Sequence, residues 1–209
     1  MTYSIVAYDP VRKLFGVAVA SGSIAVGSRV PWAKAGVGAV ATQAYTNPSL
    51  GPKILDLLLH GFGAREALLR ALDTDPDPSS RQVAVIDSRL EKAFHNGKNI
   101  PMYYGGYSGR YSVCIANLVA DPNIPETMCS VFDENLEIHG LPVSLIIALK
   151  HGSRLGGDRR GDRTAALLVV GLTEYGEFYD KIIDLRIDYD WDEEPVDKLE
   201  KLYMLWKTG

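Results

Sequence analysis

Three early runs, Tyr3 to Tyr8, Leu14 to Ala20 and Val37 to Ala44, are almost continuous in apolar and small residues instead of alternating with polar ones. A strand with one wet face alternates, so an unbroken run of this length predicts a strand covered on both faces. Small residues recur within or beside these runs, at Gly16, Ala18, Ala20, Gly36, Gly38, Ala39 and Ala41. Glycine weakens an exposed strand, and its use here implies that another layer approaches the backbone closely. The chain therefore has to build layers on either side of its N-terminal strands.

The remaining pattern says what those layers are. Asn47-Pro48 is a helix start, a capping residue followed by proline at the first helical position. Ile54, Leu55 and Leu57 to Leu59 follow, and Gly61-Phe62-Gly63 stops the helix. Ala64 to Leu72 reads as a second helix, and Asp73 to Ser80, rich in Asp and Pro, as a loop. Strands are expected at Gln82 to Ile86, around Phe94 and at Arg110 to Val119; a second helix pair at Pro125 to Phe132 and Leu141 to Lys150. Strands at Thr164 to Leu172 and Ile182 to Ile187 precede a terminal helix, Pro195 to Trp206. Helices that come in pairs between groups of strands do not fit a doubly wound sheet, and suit helical layers flanking packed sheets. The expectation is one α+β domain over residues 1–209, a four-layer αββα sandwich.

Composition narrows the function classes. The 209 residues carry a formal charge of −4, with no basic excess or stripe of the kind a nucleic-acid binder needs. The longest apolar stretch, around Leu145 to Leu149, falls far short of the roughly 20 residues that span a bilayer. The first residues lack a basic region and a long apolar run, which argues against a cleaved secretion signal. Cys114 and Cys129 are the only cysteines, too few for a disulfide framework or a zinc site, and read as reduced thiols. The protein is expected in the cytoplasm, with no nucleic-acid or membrane partner.

Most motif candidates fail on their own terms. Gly156-Gly157-Asp158-Arg159-Arg160-Gly161 lacks dinucleotide-turn spacing and precedes a strand. Gly152 and Gly157 have phosphate-loop spacing, but Asp158 stands where lysine is required. Asp188, Asp190 and Asp192 resemble the start of a calcium loop, yet Glu193 occupies the place of the turn glycine. The four histidines show no metal-type pairing, and no Gly-x-Ser-x-Gly elbow is present. No cofactor or metal is expected. What remains is Thr2, exposed as the first residue once Met1 is removed. A terminal threonine carries a hydroxyl nucleophile and an α-amine on one residue. The pKa of such an amine is ordinarily about 7.7–8.0, and the two groups together are a self-contained nucleophile and base. Here they open a strand that runs into the core.

Several segments together resemble a known group. Thr2 to Asp9, Gly16 to Ser21, Ala25-Val26-Gly27, Val30-Pro31-Trp32, Gly36 to Ala44, Asn47-Pro48, Gly51-Pro52, Asn117-Leu118 and Gly156 to Gly161 occur in the order seen in the domain of unknown function 1028 family. The resemblance covers nearly the whole chain. It implies membership of the N-terminal-nucleophile (Ntn) hydrolases, which share an αββα sandwich and include enzymes that cut amide bonds through a terminal Thr, Ser or Cys. The chain departs from that pattern at Ala116, where Gly is usual, at Asp162-Arg163-Thr164, and from His95 to Gly109.

On this basis mature Thr2 is expected to attack an amide carbonyl of a small-molecule substrate, with its α-amine as base. Lys34, by its approximate position in proteasome-like relatives, is expected beside the nucleophile to lower the amine's pKa. Ser21, Gly22, Ser23, Gln43, Asn47 and Asn117 at strand ends are expected to bind substrate or the developing oxyanion, the latter through backbone N–H groups near Gly22. Asp158 and Arg160 are expected either to bind a carboxylate or to lock a loop as an ion pair. Tyr103, Tyr104, Tyr107, Tyr203, Leu205 and Trp206 suggest a homo-oligomer. The alternative to an enzyme is a non-catalytic binding or assembly protein on the same scaffold.

Overall fold

The computed structural model describes residues 2–190 and 192–209. Met1, whose removal the Thr2 reading requires, lies outside the described residues. These contain ten strands and five α-helices. Strands β1 (Thr2–Asp9) and β2 (Leu14–Ser21) are followed by β3 (Pro31–Lys34), β4 (Gly38–Ala44), helix α1 (Leu50–Leu59) and helix α2 (Ala64–Asp73). Then come β5 (Arg81–Asp87), β6 (Lys92–Asn96), β7 (Gly105–Ser108) and β8 (Ser112–Asn117), with helices α3 (Ile124–His139) and α4 (Leu141–Arg154). Strands β9 (Thr164–Val170) and β10 (Lys181–Ile187) and helix α5 (Pro195–Thr208) complete the chain.

All strand pairings are antiparallel. One sheet has the order β10-β9-β2-β1-β8-β7 and the other β3-β4-β5-β6. Side chains alternate across β1, so Tyr3, Ile5 and Ala7 enter one core and Val6 and Tyr8 another. The first core joins the six-stranded sheet to α3, α4 and α5. The second lies between the sheets, where Val6, Val17 and Val19 meet Ala39, Ala41, Ala84 and Ile86. A third joins Val40, Val83 and Val85 of the four-stranded sheet to α1 and α2. Each fully buried Val or Ile contributes roughly 1.5–3 kcal/mol, which accounts for the unbroken apolar runs. A Cβ added to Gly16 would come within 2.5 Å of the Leu145 side chain, so α4 lies directly on β2.

Three differences from the sequence expectation have physical causes. Helix α1 begins at Leu50, not at Asn47-Pro48, because the Asn47 side chain forms a turn that accepts from the Ser49 N–H at 3.1 Å. Pro52 then sits in the first helical turn, where its missing N–H costs nothing. Strands β3 and β7 were not anticipated: Pro-Trp-Ala-Lys and Gly-Gly-Tyr-Ser are short, half-exposed segments without a period-two signal. Cys114 and Cys129 are free thiols within the helix-facing core. No helix among the described residues is long and apolar enough to cross a membrane.

Candidate active site

At one end of the intersheet core the inward residues turn polar. Thr2 stands directly opposite Ser21 on β2 and Asn117 on β8. By alternation from Val6, Val19 and Ile115, all three side chains face the second sheet. Gln43 of β4 and Gln82 of β5, themselves register partners, approach from across the gap. Thr2 is 3% exposed, and Ser4, Ser21, Gln43, Gln82 and Asn117 are fully buried.

A connected set of hydrogen bonds accounts for this polarity. Thr2 Oγ1 and Ser21 Oγ lie 3.1 Å apart. Ser4 Oγ donates to Gln43 Oε1 at 2.7 Å. Gln43 Nε2 donates to Gln82 Oε1 (2.7 Å), Thr2 O (3.1 Å) and Ile115 O (3.3 Å). Gln82 Nε2 donates to Asn96 Oδ1 (2.7 Å), Ala116 O (2.9 Å) and Gly105 O (3.2 Å). Asn117 Nδ2 donates to Gln82 Oε1 at 2.8 Å. The two strand ends that supply Gln43 and Asn117 pass at once into left-handed backbone, at Ala44 (φ 67°) and Leu118 (φ 49°). Non-glycine residues in that region store strain of order 1 kcal/mol or more, and such strain tends to gather at functional sites.

The family model for the family of unknown function DUF1028 matches residues 2–199. This chain belongs to the DUF1028 family. A crystal structure of a Silicibacter pomeroyi protein of DUF1028 is similar to it, with 27% identity and a TM-score of 0.89 over 100% of this chain and 87% of that one. The Anbu (ancestral beta-subunit) protein of Yersinia bercovieri matches at 10% identity and a TM-score of 0.44, covering 100% of this chain and 95% of that one. None of the curated proteins matches.

In this DUF1028 protein the sequence-selected residues divide into those the fold gathers and those it does not. Thr2, Ser21, Gln43 and Asn117 come together. Lys34 does not: it pairs with Gly38, at the opposite end of β4 from Gln43. Five residues at about 3.3 Å each separate Gly38 from Gln43, roughly 17 Å, so Lys34 is removed from the site. Asn47 is also elsewhere in role, with its Nδ2 on Asp75 Oδ2 at 2.6 Å and its Oδ1 on Ser49. It organises the turn into α1.

Gly22 and Ser23 adjoin the site, but their N–H groups are already engaged. Gly22 N donates to Asp158 Oδ2 at 2.8 Å and Ser23 N to Ser21 Oγ at 3.0 Å. Gly22 N–H therefore anchors the loop and is not one of the free backbone donors expected near this position. Asp158 is buried and also accepts from Arg160 N, Nε and Nη2. Of the two readings offered for Asp158 and Arg160, the geometry matches the loop lock. Arg160 Nη2 reaches Ser23 Oγ at 3.1 Å and ties the lock to the β2 end.

Beside the lock lies a cavity of about 240 Å³ bounded by Arg160, Asp162, Arg163, Asp190 and Glu194. It adjoins the β2 end through Arg163, whose N–H donates to Ser21 O at 2.8 Å. Burial pushes the Asp162 carboxyl up to about 7, against the opposing pull of the Tyr3 hydroxyl, which donates to it at 2.5 Å, and of Asp158 N–H. Its proton is held more tightly folded than unfolded, so this contribution to stability is full below about 3.8 and falls as pH rises towards about 7. Urea denaturation of Asp162→Asn is expected to show the variant gaining roughly 2–4 kcal/mol relative to the parent between pH 4 and pH 7.5. A constant difference would contradict the assignment.

Sequence reasoning missed Ser4 and Gln82. Gln82 is the junction of the network, yet it is one polar residue at the start of an apolar run. The available signal was parity: Gln82, Ala84 and Ile86 share a face, so a glutamine at that position had to be buried and bonded.

Proposed function

We propose that this DUF1028 protein is an amidohydrolase of the N-terminal-nucleophile type, acting on a small substrate through mature Thr2 on an αββα sandwich. The observation that carries the reading is the place of Thr2. It opens the strand between β2 and β8, with its hydroxyl turned into the polar end of the intersheet core and 3.1 Å from Ser21 Oγ. The order of the three cores, helices on one sheet, sheet on sheet, helices on the other, supports the layered scaffold.

In the proposed reaction the Thr2 hydroxyl adds to the amide carbonyl as its proton passes to the α-amine, directly or through the Ser21 hydroxyl. The C–N bond breaks, the amine leaves with that proton, and water hydrolyses the resulting ester to regenerate Thr2. All of this requires a free amine on Thr2. Intact mass and N-terminal sequencing of the native protein are expected to show it one methionine shorter than its gene product. Complete retention of Met1 would overturn the hydrolase reading and favour a non-catalytic binding role for the scaffold, which the near-complete burial of Thr2 also fits.

A further inference from the structure

The amide network fixes the direction in which Asn117 presents its oxygen. Ala116 O and Gly105 O are carbonyls and can only accept, so the Gln82 atom facing them is Nε2. Gln82 Oε1 must then face Gln43 and Asn117, and both must offer it their NH2 groups. Asn117 has no freedom to flip, and its Oδ1 points away from Gln82. Among the described residues that oxygen is the one buried side-chain N or O atom without a hydrogen-bond partner. Leaving a buried acceptor unpaired costs about 1–3 kcal/mol, and a fold that otherwise pairs its buried polar atoms does so where a donor is due.

The strand ladder shows which nitrogen the register brings beside Asn117. Ser21 O is directed to the β9 side, where Arg163 N–H and Thr164 Oγ1 donate to it. In an antiparallel ladder a residue's N–H and C=O point to the same side. Ser21 therefore exchanges no backbone bonds with Thr2, and Thr2 directs its own backbone groups towards β8. Gln43 Nε2 agrees, since it bonds Thr2 O and Ile115 O together in the β1–β8 groove. The nitrogen of Thr2 thus lies beside Asn117. As a peptide nitrogen it has one hydrogen for the ladder. As a free amine it gains further N–H groups.

The geometry points to Asn117 as a positioning residue, its Oδ1 accepting a hydrogen bond from the Thr2 amine released by loss of Met1. This rests on the maturation step of the proposed function, and it assigns Asn117 to the protein's own terminus and not to substrate. The network partners around it are the hydroxyls of Ser4 and Ser21 and the amides of Gln43 and Gln82. The ionisable groups bordering them are Asp158 on Gly22 N–H, Arg160 on Ser23 Oγ, and Tyr3 with Asp162 on the opposite face of β1.

The test uses the mature chain beginning at Thr2, verified by intact mass; if cells retain Met1, cutting a fusion immediately before Thr2 supplies the same form. The pH dependence of Thr2 amine labelling by acetic anhydride, read by mass spectrometry, is compared with that of Asn117→Leu. A bond to the amine favours its charged form, so the half-labelling pH is expected to fall by about one unit in the variant, about tenfold in proton affinity. Coincident curves would overturn the assignment. A crystal structure of the unsubstituted mature chain gives a second test, needing no variant: Oδ1 within hydrogen-bonding distance of the amine supports it, and Oδ1 bonded elsewhere overturns it. Neither measurement depends on turnover. A chain that hydrolyses nothing can still show the shift, and one that hydrolyses amides can fail to show it.

Discussion

Thr2→Ala is expected to reduce amide hydrolysis by the mature protein by about 10⁴-fold or more, the scale seen when a covalent nucleophile is removed. The substrate for the assay is whichever small amide turns over in a screen of the unsubstituted mature chain. Among the described residues the Thr2 hydroxyl has one hydrogen-bond partner, Ser21 Oγ, so its loss costs about 1 kcal/mol of stability and leaves the fold in place. Thr2→Ser keeps the hydroxyl beside the amine and is expected to retain activity. Unchanged turnover in Thr2→Ala would exclude Thr2 as the nucleophile.

The second large effect is on stability. Gln82→Leu removes the acceptor shared by Gln43 and Asn117 and the donor to Asn96, Gly105 and Ala116. Gln43 keeps Thr2 O and Ile115 O, but the Asn117 amide then has no side-chain partner at either end. Stranded polar groups cost about 1–3 kcal/mol each, so a loss of about 3–5 kcal/mol is expected, a fall in Tm of roughly 6–20 °C at this chain length. Adding Asn117→Leu is expected to restore part of the loss, because removing both partners strands less than removing one. Thermal unfolding of both single variants and the double variant checks this. Additive losses would show that the two amides are not coupled.

The readable parts of the fold were those in which burial dictates residue type. The intersheet strands β1, β2, β4 and β5 are covered on both faces and advertise it through unbroken Val, Ile and Ala. Edge strand β3, and β7 with its paired glycines, carry no such constraint and gave no signal. The site was legible where a polar residue ends an apolar run, as at Ser21, Gln43 and Asn117. It was misread where a role depended on distance between strands. Lys34 lies nine residues before Gln43 in the chain, but the β3–β4 turn sends it to the far end of the sheet. Gly22 carries a usable N–H in isolation, and only the folded loop shows that Asp158 has taken it.

The removal of Lys34 leaves the question of what would keep a terminal amine deprotonated at neutral pH. Every hydrogen-bonded side chain from Ser4 through Gln43 and Gln82 to Asn117 is electrically neutral. A nitrogen freed at Thr2 would find no counter-ion in that chain, only neutral hydroxyls and amides. Beside the apolar intersheet core, an ammonium without a counter-ion is disfavoured, which lowers its proton affinity without help from a neighbouring cation. If the proposed hydrolase reading holds, the basicity of such a nucleophile would be tuned by the neutrality of its surroundings, and a carboxylate substituted into the amide network would slow turnover by charging the base.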